Sequence, residues 1–165
     1  MKKQLIALSI SMSTCSLASA EPAPLIPLRD FFRNPGTTFY QVSPSGDYLA
    51  FLRPYENRLN VWIQPRKGGE PQRVTGVTDR DITAYFWKTD SYILFIRDSG
   101  GDENFHLYVA DREGKNVRDL TPFEKVQVRM IDDLPLNPKE VIIGLNRRNK
   151  EIFDAYRLNI ETGDL

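Results

Sequence analysis

Tyr48-Leu-Ala-Phe-Leu52 returns as Tyr92-Ile-Leu-Phe-Ile96 and again as Val141-Ile-Ile-Gly-Leu145. The flanking runs return with it. Leu59-Asn-Val-Trp-Ile63 is echoed by Phe105-His-Leu-Tyr-Val109 and by Phe153-Asp-Ala-Tyr-Arg157, and Gln72-Arg-Val-Thr75 by Arg118-Asp-Leu-Thr121. Turn residues fall between the third and fourth runs each time, at Lys67-Gly-Gly-Glu70, Arg112-Glu-Gly-Lys115 and Glu161-Thr-Gly-Asp164. The offsets run from 44 to 49 residues. Short apolar runs rich in Tyr, Val and Ile, bounded by Gly, Pro and Asp, read as strands. Four such strands per unit at this spacing mark the blades of a β-propeller.

Strands are expected near 39–43, 48–53, 59–64 and 72–76 in the first blade, and near 82–87, 92–97, 105–110 and 117–121 in the second. The third has runs near 126–131, 140–145 and 153–159. The blades therefore cover about 39–76, 82–121 and 126–165. Each sheet in such a ring buries both faces, which explains middle strands that are almost continuously apolar. Ser43-Pro-Ser-Gly-Asp47 supplies a tight turn, with Pro44 fixing φ and Gly46 free to take a positive one. The fold class is all-β, an incomplete propeller of two four-stranded blades plus three strands of a third. Closure takes about 4–8 blades. The expectation is therefore of a truncated chain, whose apolar faces and edge strand promote self-association.

The first twenty residues have another character. Lys2 and Lys3 precede an apolar stretch from Leu5 to Leu17, and Ala18-Ser-Ala20 offers small residues for cleavage after Ala20. Residues 1–20 are expected to be a signal peptide, and 21–38 a proline-bearing lead-in with one helical turn near Leu28–Arg33. The apolar stretch is too short and serine-rich for a membrane span of about 20 residues. Cys15 follows Met12-Ser-Thr14, a poor lipoprotein site, and leaves with the leader. A cysteine-free mature chain held by its core suits a periplasmic or otherwise secreted location. Acidic and basic residues balance at 22 each, so no clustered basic surface argues for nucleic acid. No second run suggests a membrane.

Pro27-Leu-Arg-Asp-Phe-Phe-Arg-Asn-Pro35, Ser43-Pro-Ser-Gly-Asp-Tyr-Leu-Ala-Phe-Leu52, Gly100-Gly-Asp-Glu-Asn-Phe105 and Gly144-Leu-Asn-Arg-Arg-Asn149 together resemble the N-terminal propeller of prolyl oligopeptidase-family serine peptidases, the dipeptidyl aminopeptidase and acylaminoacyl-peptidase-like members above all. The likeness extends over essentially all of 25–165. It implies an α/β-hydrolase domain following in sequence, whose Ser, Asp and His cleave short peptides or acylated N-termini while the propeller restricts access.

The chain itself offers little chemistry. No Gly-x-Ser-x-Gly elbow occurs. His106 is the only histidine, set in a strand among Phe105, Leu107 and Tyr108, and it reads as structural. No catalytic residue is assigned, and a single His without Cys leaves no metal or cofactor call. Acidic residues gather at Asp98, Asp102 and Glu103, and at Asp132 and Asp133. Asp102 and Glu103 sit in a long loop of the second blade, where carboxylates can pair with a substrate ammonium; they are the candidate substrate-binding residues. Glu56-Asn57 and Glu151 occupy matching loops, which favours a scaffold role. Asp132-Asp133 either cap a turn before Pro135 or face the central channel, and Arg147-Arg148 read as a solvated hairpin tip. Two functions compete. One is the substrate-gating portion of a periplasmic peptidase, reaching peptide substrate through the hydrolase domain. The other is a periplasmic binding propeller of the Tol-system type, without catalysis.

Overall fold

The computed structural model describes residues 25–31 and 36–165. The expected signal peptide and part of the lead-in, 21–24 and 32–35, lie outside the described residues. The chain divides into two compact units, Met1–Asn34 and Pro35–Leu165. In the first, Leu28–Phe31 forms the single turn α1, with no buried residue.

Every strand pairing in the second unit is antiparallel. Strands β1 (Thr38–Val42), β2 (Tyr48–Tyr55), β3 (Arg58–Pro65) and β4 (Gln72–Arg73) pair in chain order. So do β5 (Ala84–Trp87), β6 (Tyr92–Arg97), β7 (His106–Asp111) and β8 (Val117–Asp119). Strands β9 (Val128–Asp132), β10 (Glu140–Asn149) and β11 (Ile152–Asn159) form the third sheet, with β10 central. Turn chemistry fixes the meanders. Gly46 takes φ 78° and donates its N–H to Ser43 O at 2.8 Å. Glu56 and Asn57, at φ 48° and 63°, form a two-residue turn of the kind that matches strand twist.

Strand alternation sends neighbouring side chains of one sheet into two different cores. Ile93, Phe95 and Ala110 of the second sheet join Ala50, Leu52, Val61 and Ile63 of the first. Leu94, Leu107 and Val109, from the opposite face, join Val141, Ile143, Leu145 and Leu158 of the third. Each fully buried aliphatic side chain here stabilises by about 1.5–3 kcal/mol. The middle sheet is thus buried on both faces, as its continuous apolar strands predict.

The fourth strands are shorter than their sequence suggests, and a side chain is the reason. Val74 N–H still donates to Val61 O at 2.9 Å, but Val61 N–H donates to the Thr75 hydroxyl at 2.9 Å. In the second sheet Leu120 N–H donates to Leu107 O at 2.8 Å, and Leu107 N–H to the Thr121 hydroxyl at 2.9 Å. Threonine replaces the backbone acceptor, and the chain is free to leave the sheet. Arg147 and Arg148 correct an expectation. They are not the hairpin tip but lie within β10, which runs to Asn149. Arg148 pairs with both oxygens of Asp154, at 3.0 and 2.8 Å, and Arg147 lies over the Phe123 ring at 4.5 Å.

Candidate functional site

Loops of an antiparallel meander alternate between its two ends. The β2–β3, β6–β7 and β10–β11 turns therefore share one end with the β4–β5 and β8–β9 links. The candidate carboxylates lie there, in the segment from Asp98 to Phe105 that joins β6 to β7. This loop differs from its counterparts. Blade one turns on Glu56 and Asn57 alone, whereas the middle sheet uses Gly100 and Gly101 at φ 62° and 85° and Glu103 at φ 59°.

The loop is anchored at its base. Asp98 is buried, and its carboxylate accepts from Arg80 Nε at 3.4 Å and from Glu103 N–H at 3.4 Å. Arg97 reaches Asp79 at 3.0 Å and the Ser99 hydroxyl at 3.3 Å. Gly100 N–H also donates to Asp79, at 3.4 Å. Burial pushes the Asp79 carboxyl up, but backbone donors at Asp79, Gly100 and Arg80, together with the Arg97 charge, outweigh it and leave the pKa lowered.

Asp102 stands at the exposed tip. Its Oδ2 accepts from Asn104 Nδ2 and its Oδ1 from Asn104 N–H, both at 3.0 Å. These bonds, the side-chain one foremost, hold its pKa below the ordinary carboxylate value, so it is ionised at neutral pH. Glu103 is exposed as well, while its carbonyl accepts from Gln127 Nε2 at 2.9 Å. The structure therefore leaves both residues exposed, on a loop with a fixed base. Carboxylates in that setting can receive an ammonium through charge-assisted bonds.

His106 ties β7 to β8. Its Nδ1 meets Asp119 Oδ2 at 2.7 Å, its ring stacks near Tyr108 at 6.4 Å, and no hydroxyl or thiol nucleophile is among its partners in the described residues. It fills the repeat position held in blade one by Asn60. Asn60 is fully buried; its Oδ1 accepts from the Thr75 hydroxyl and Val77 N–H, and its Nδ2 donates to Arg58 O and Val77 O. Asp132 takes the capping role, its Oδ1 accepting from Leu134 N–H at 2.7 Å. Lys88, which is buried, donates to Asp133 O and to Leu134 O, and burial lowers its pKa against the pull of Asp133 and Asp132. Among the described residues, no group of three His, Cys, Asp or Glu is placed to hold a metal. No described helix is long and apolar enough to cross a membrane.

Sequence reading missed Asn60, Arg80 and Asp79. Asn60 alone left a trace, because the repeated Thr75 and Thr121 mark the strand ends it serves. Arg80 and Asp79 lie in a link with no repeat to flag them.

No family model matches the chain. Dipeptidyl aminopeptidase BIII of Pseudoxanthomonas mexicana is 38% identical over 135 residues, which is 81% of this chain and 20% of the relative. The chain thus spans about a fifth of the length of the curated relatives it matches. Among solved structures, TolB from Acinetobacter baumannii aligns with TM-score 0.53 and 17% identity, over 78% of this chain and 31% of TolB. A Mycobacterium tuberculosis puromycin-hydrolyzing peptidase aligns with TM-score 0.53 and 19% identity, over 79% of this chain and 22% of that one. At those identities the two structures speak to the fold, and both support the propeller. The sequence match goes further: the chain is a homologue of the dipeptidyl aminopeptidases of the prolyl oligopeptidase family, matching them over a partial, propeller-forming stretch.

Proposed function

We propose that these blades are the substrate-gating, non-catalytic part of a periplasmic serine peptidase acting on short peptides or acylated N-termini. The observation that carries the reading is the 38% identity to a dipeptidyl aminopeptidase along most of this chain. In this reading Asp102 and Glu103 receive the α-ammonium of a peptide and so set how far its chain reaches toward the nucleophile. The fixed base formed by Asp98, Arg80 and Arg97 supports that task, because a positioning contact must not drift. Hydrolysis is assigned to an α/β-hydrolase domain, with Ser, Asp and His outside these residues.

The test uses dipeptidyl p-nitroanilides. The 165-residue chain should give no turnover above a blank, while a longer gene product containing a Gly-x-Ser-x-Gly elbow should cleave them. In that product, Asp102→Asn with Glu103→Gln should raise KM by about 10–100-fold for free-amino substrates, since charge-assisted bonds contribute about 1.5–3 kcal/mol. Acylated substrates should be unaffected. Equal losses on both substrate classes would remove the ammonium role. The likeness to TolB favours a second reading, a binding propeller without catalysis. A coding sequence that closes a ring and then stops would establish it instead.

A further inference from the structure

We propose that a pocket beside the acidic loop, at the seam of the first two sheets, binds a carboxylate. It encloses about 230 Å³ and is lined by Arg58, Arg80, Asp81, Thr83 and Asp98. Arg58 opens β3, Arg80 to Thr83 belong to the β4–β5 link, and Asp98 follows β6.

The two acidic side chains are already committed to the scaffold. Asp81 Oδ1 accepts from Leu59 N–H at 2.8 Å, tying the link to β3. Asp98, whose side chain is 1% exposed, accepts from Arg80 Nε and from Glu103 N–H. Thr83 is also committed, its hydroxyl donating to Ile96 O at 3.0 Å. The arginines are not. The bond to Asp98 uses Arg80 Nε alone, so its two terminal nitrogens have no protein acceptor among the described residues. Arg58 is half-buried, and its guanidinium likewise has no acceptor among the described residues. Gly101 passes over Arg80, where a Cβ would lie 3.5 Å from Nη1.

Guanidinium groups present donors in a planar fork that fits a carboxylate, and a partly desolvated one gains most from being matched. Arg58 is half-buried and the Arg80 side chain is 50% exposed, so their unspent donors are open to a ligand entering from solvent. The pocket accommodates the tip of a peptide or a single acidic side chain, and the shared chemistry is the carboxylate. The four charged lining residues sum to zero, so no net field draws an anion in and affinity should be modest. This site is distinct from the Asp102–Glu103 tip and of opposite preference, and it does not depend on the peptidase reading.

The experiment follows the arginine Nε–Hε resonances of the 15N-labelled full chain. Three probes are titrated: acetyl-trialanine with a free carboxyl terminus, its C-terminal amide, and acetyl-Ala-Glu-Ala-amide. Saturable shifts at Arg58 and Arg80 with the free acid, and none with the trialanine amide, are expected. The third probe separates sources: shifts mean that a glutamate side chain also binds, and silence restricts the site to a chain terminus. Arg58→Gln should weaken binding at least about tenfold, and Arg58→Lys should restore part of it. Persistence of the Arg80 Nε–Hε signal in both variants reports an intact fold. Equal responses to acid and amide, or binding unchanged in a folded Arg58→Gln, would overturn the proposal.

Discussion

At the first seam the Arg112 guanidinium lies 4.3 Å from the centre of the Tyr48 ring and donates to Asp90 O at 3.1 Å. At the second, the same repeat position is Ile160, 1% exposed within the cluster against which Tyr92 packs. The equivalence is fixed by the backbone, since Arg112 N–H donates to Ser91 O and Ile160 N–H to Lys139 O, each just before a second strand. The first seam carries further polar ties: Ser45 N–H to Asp90 at 2.9 Å, Gln72 Nε2 to Glu113 O at 2.9 Å, and Gln41 Nε2 to Tyr85 O at 2.8 Å. The second relies on aliphatic contact, with Lys88 and Arg118 reaching carbonyls across it. One backbone geometry therefore accepts either an aromatic–cation clasp or a buried branched side chain. What the repeat conserves between blades is the slot, and the chemistry that fills it varies.

Five substitutions probe that comparison. Phe95→Ala should cost most, about 3–5 kcal/mol in urea denaturation, because Phe95 is buried in the first seam and stacks on Tyr108 at 5.1 Å. The two turns should separate next. A Cβ at Gly114 would meet Val74 O at 2.7 Å, whereas one at Gly163 meets nothing, though both glycines have positive φ. Gly163→Ala should cost about 1 kcal/mol from backbone strain alone, and Gly114→Ala at least about twice that. Similar values for both would mean that the turn does not grip the neighbouring sheet. Arg112→Met asks whether the first seam tolerates the apolar solution of the second, and a change within about 1 kcal/mol is expected. The smallest effect belongs to Asp90, whose pKa is lowered chiefly by the Ser45 N–H. Its ionised form is favoured by folding, so its contribution is present above pH 4 and lost as pH falls through the depressed folded value. Asp90→Asn should flatten the fall in urea midpoint between pH 5 and pH 3 relative to the parent.

The inner strands were legible because period-two patterning and the repeat agree. Tyr92–Ile96 lies within β6, Tyr92–Arg97, and the third run of the last sheet lies within β11. The ends of β4 and β8 were not, because Thr75 and Thr121 read as strand residues while their hydroxyls terminate the ladder. Propensity does not distinguish a threonine that continues a sheet from one that caps it. Similarly, the acidic loop was visible through Asp102 and Glu103, but its support was not. Asp98 reads in sequence as a third member of the acidic cluster, and the structure buries it. Its partner Arg80 lies 18 residues away, in a link without periodicity.

The loop that carries Asp102 and Glu103 is tied in two directions. Arg80 and Asp79 hold it toward the β4–β5 link, and Gln127 holds the carbonyl of Glu103 from the β8–β9 link. It spans both junctions of the middle sheet like a strap across two hinges. A change of spacing between neighbouring sheets at either junction therefore pulls on this loop, and its position registers how closely the three sheets sit.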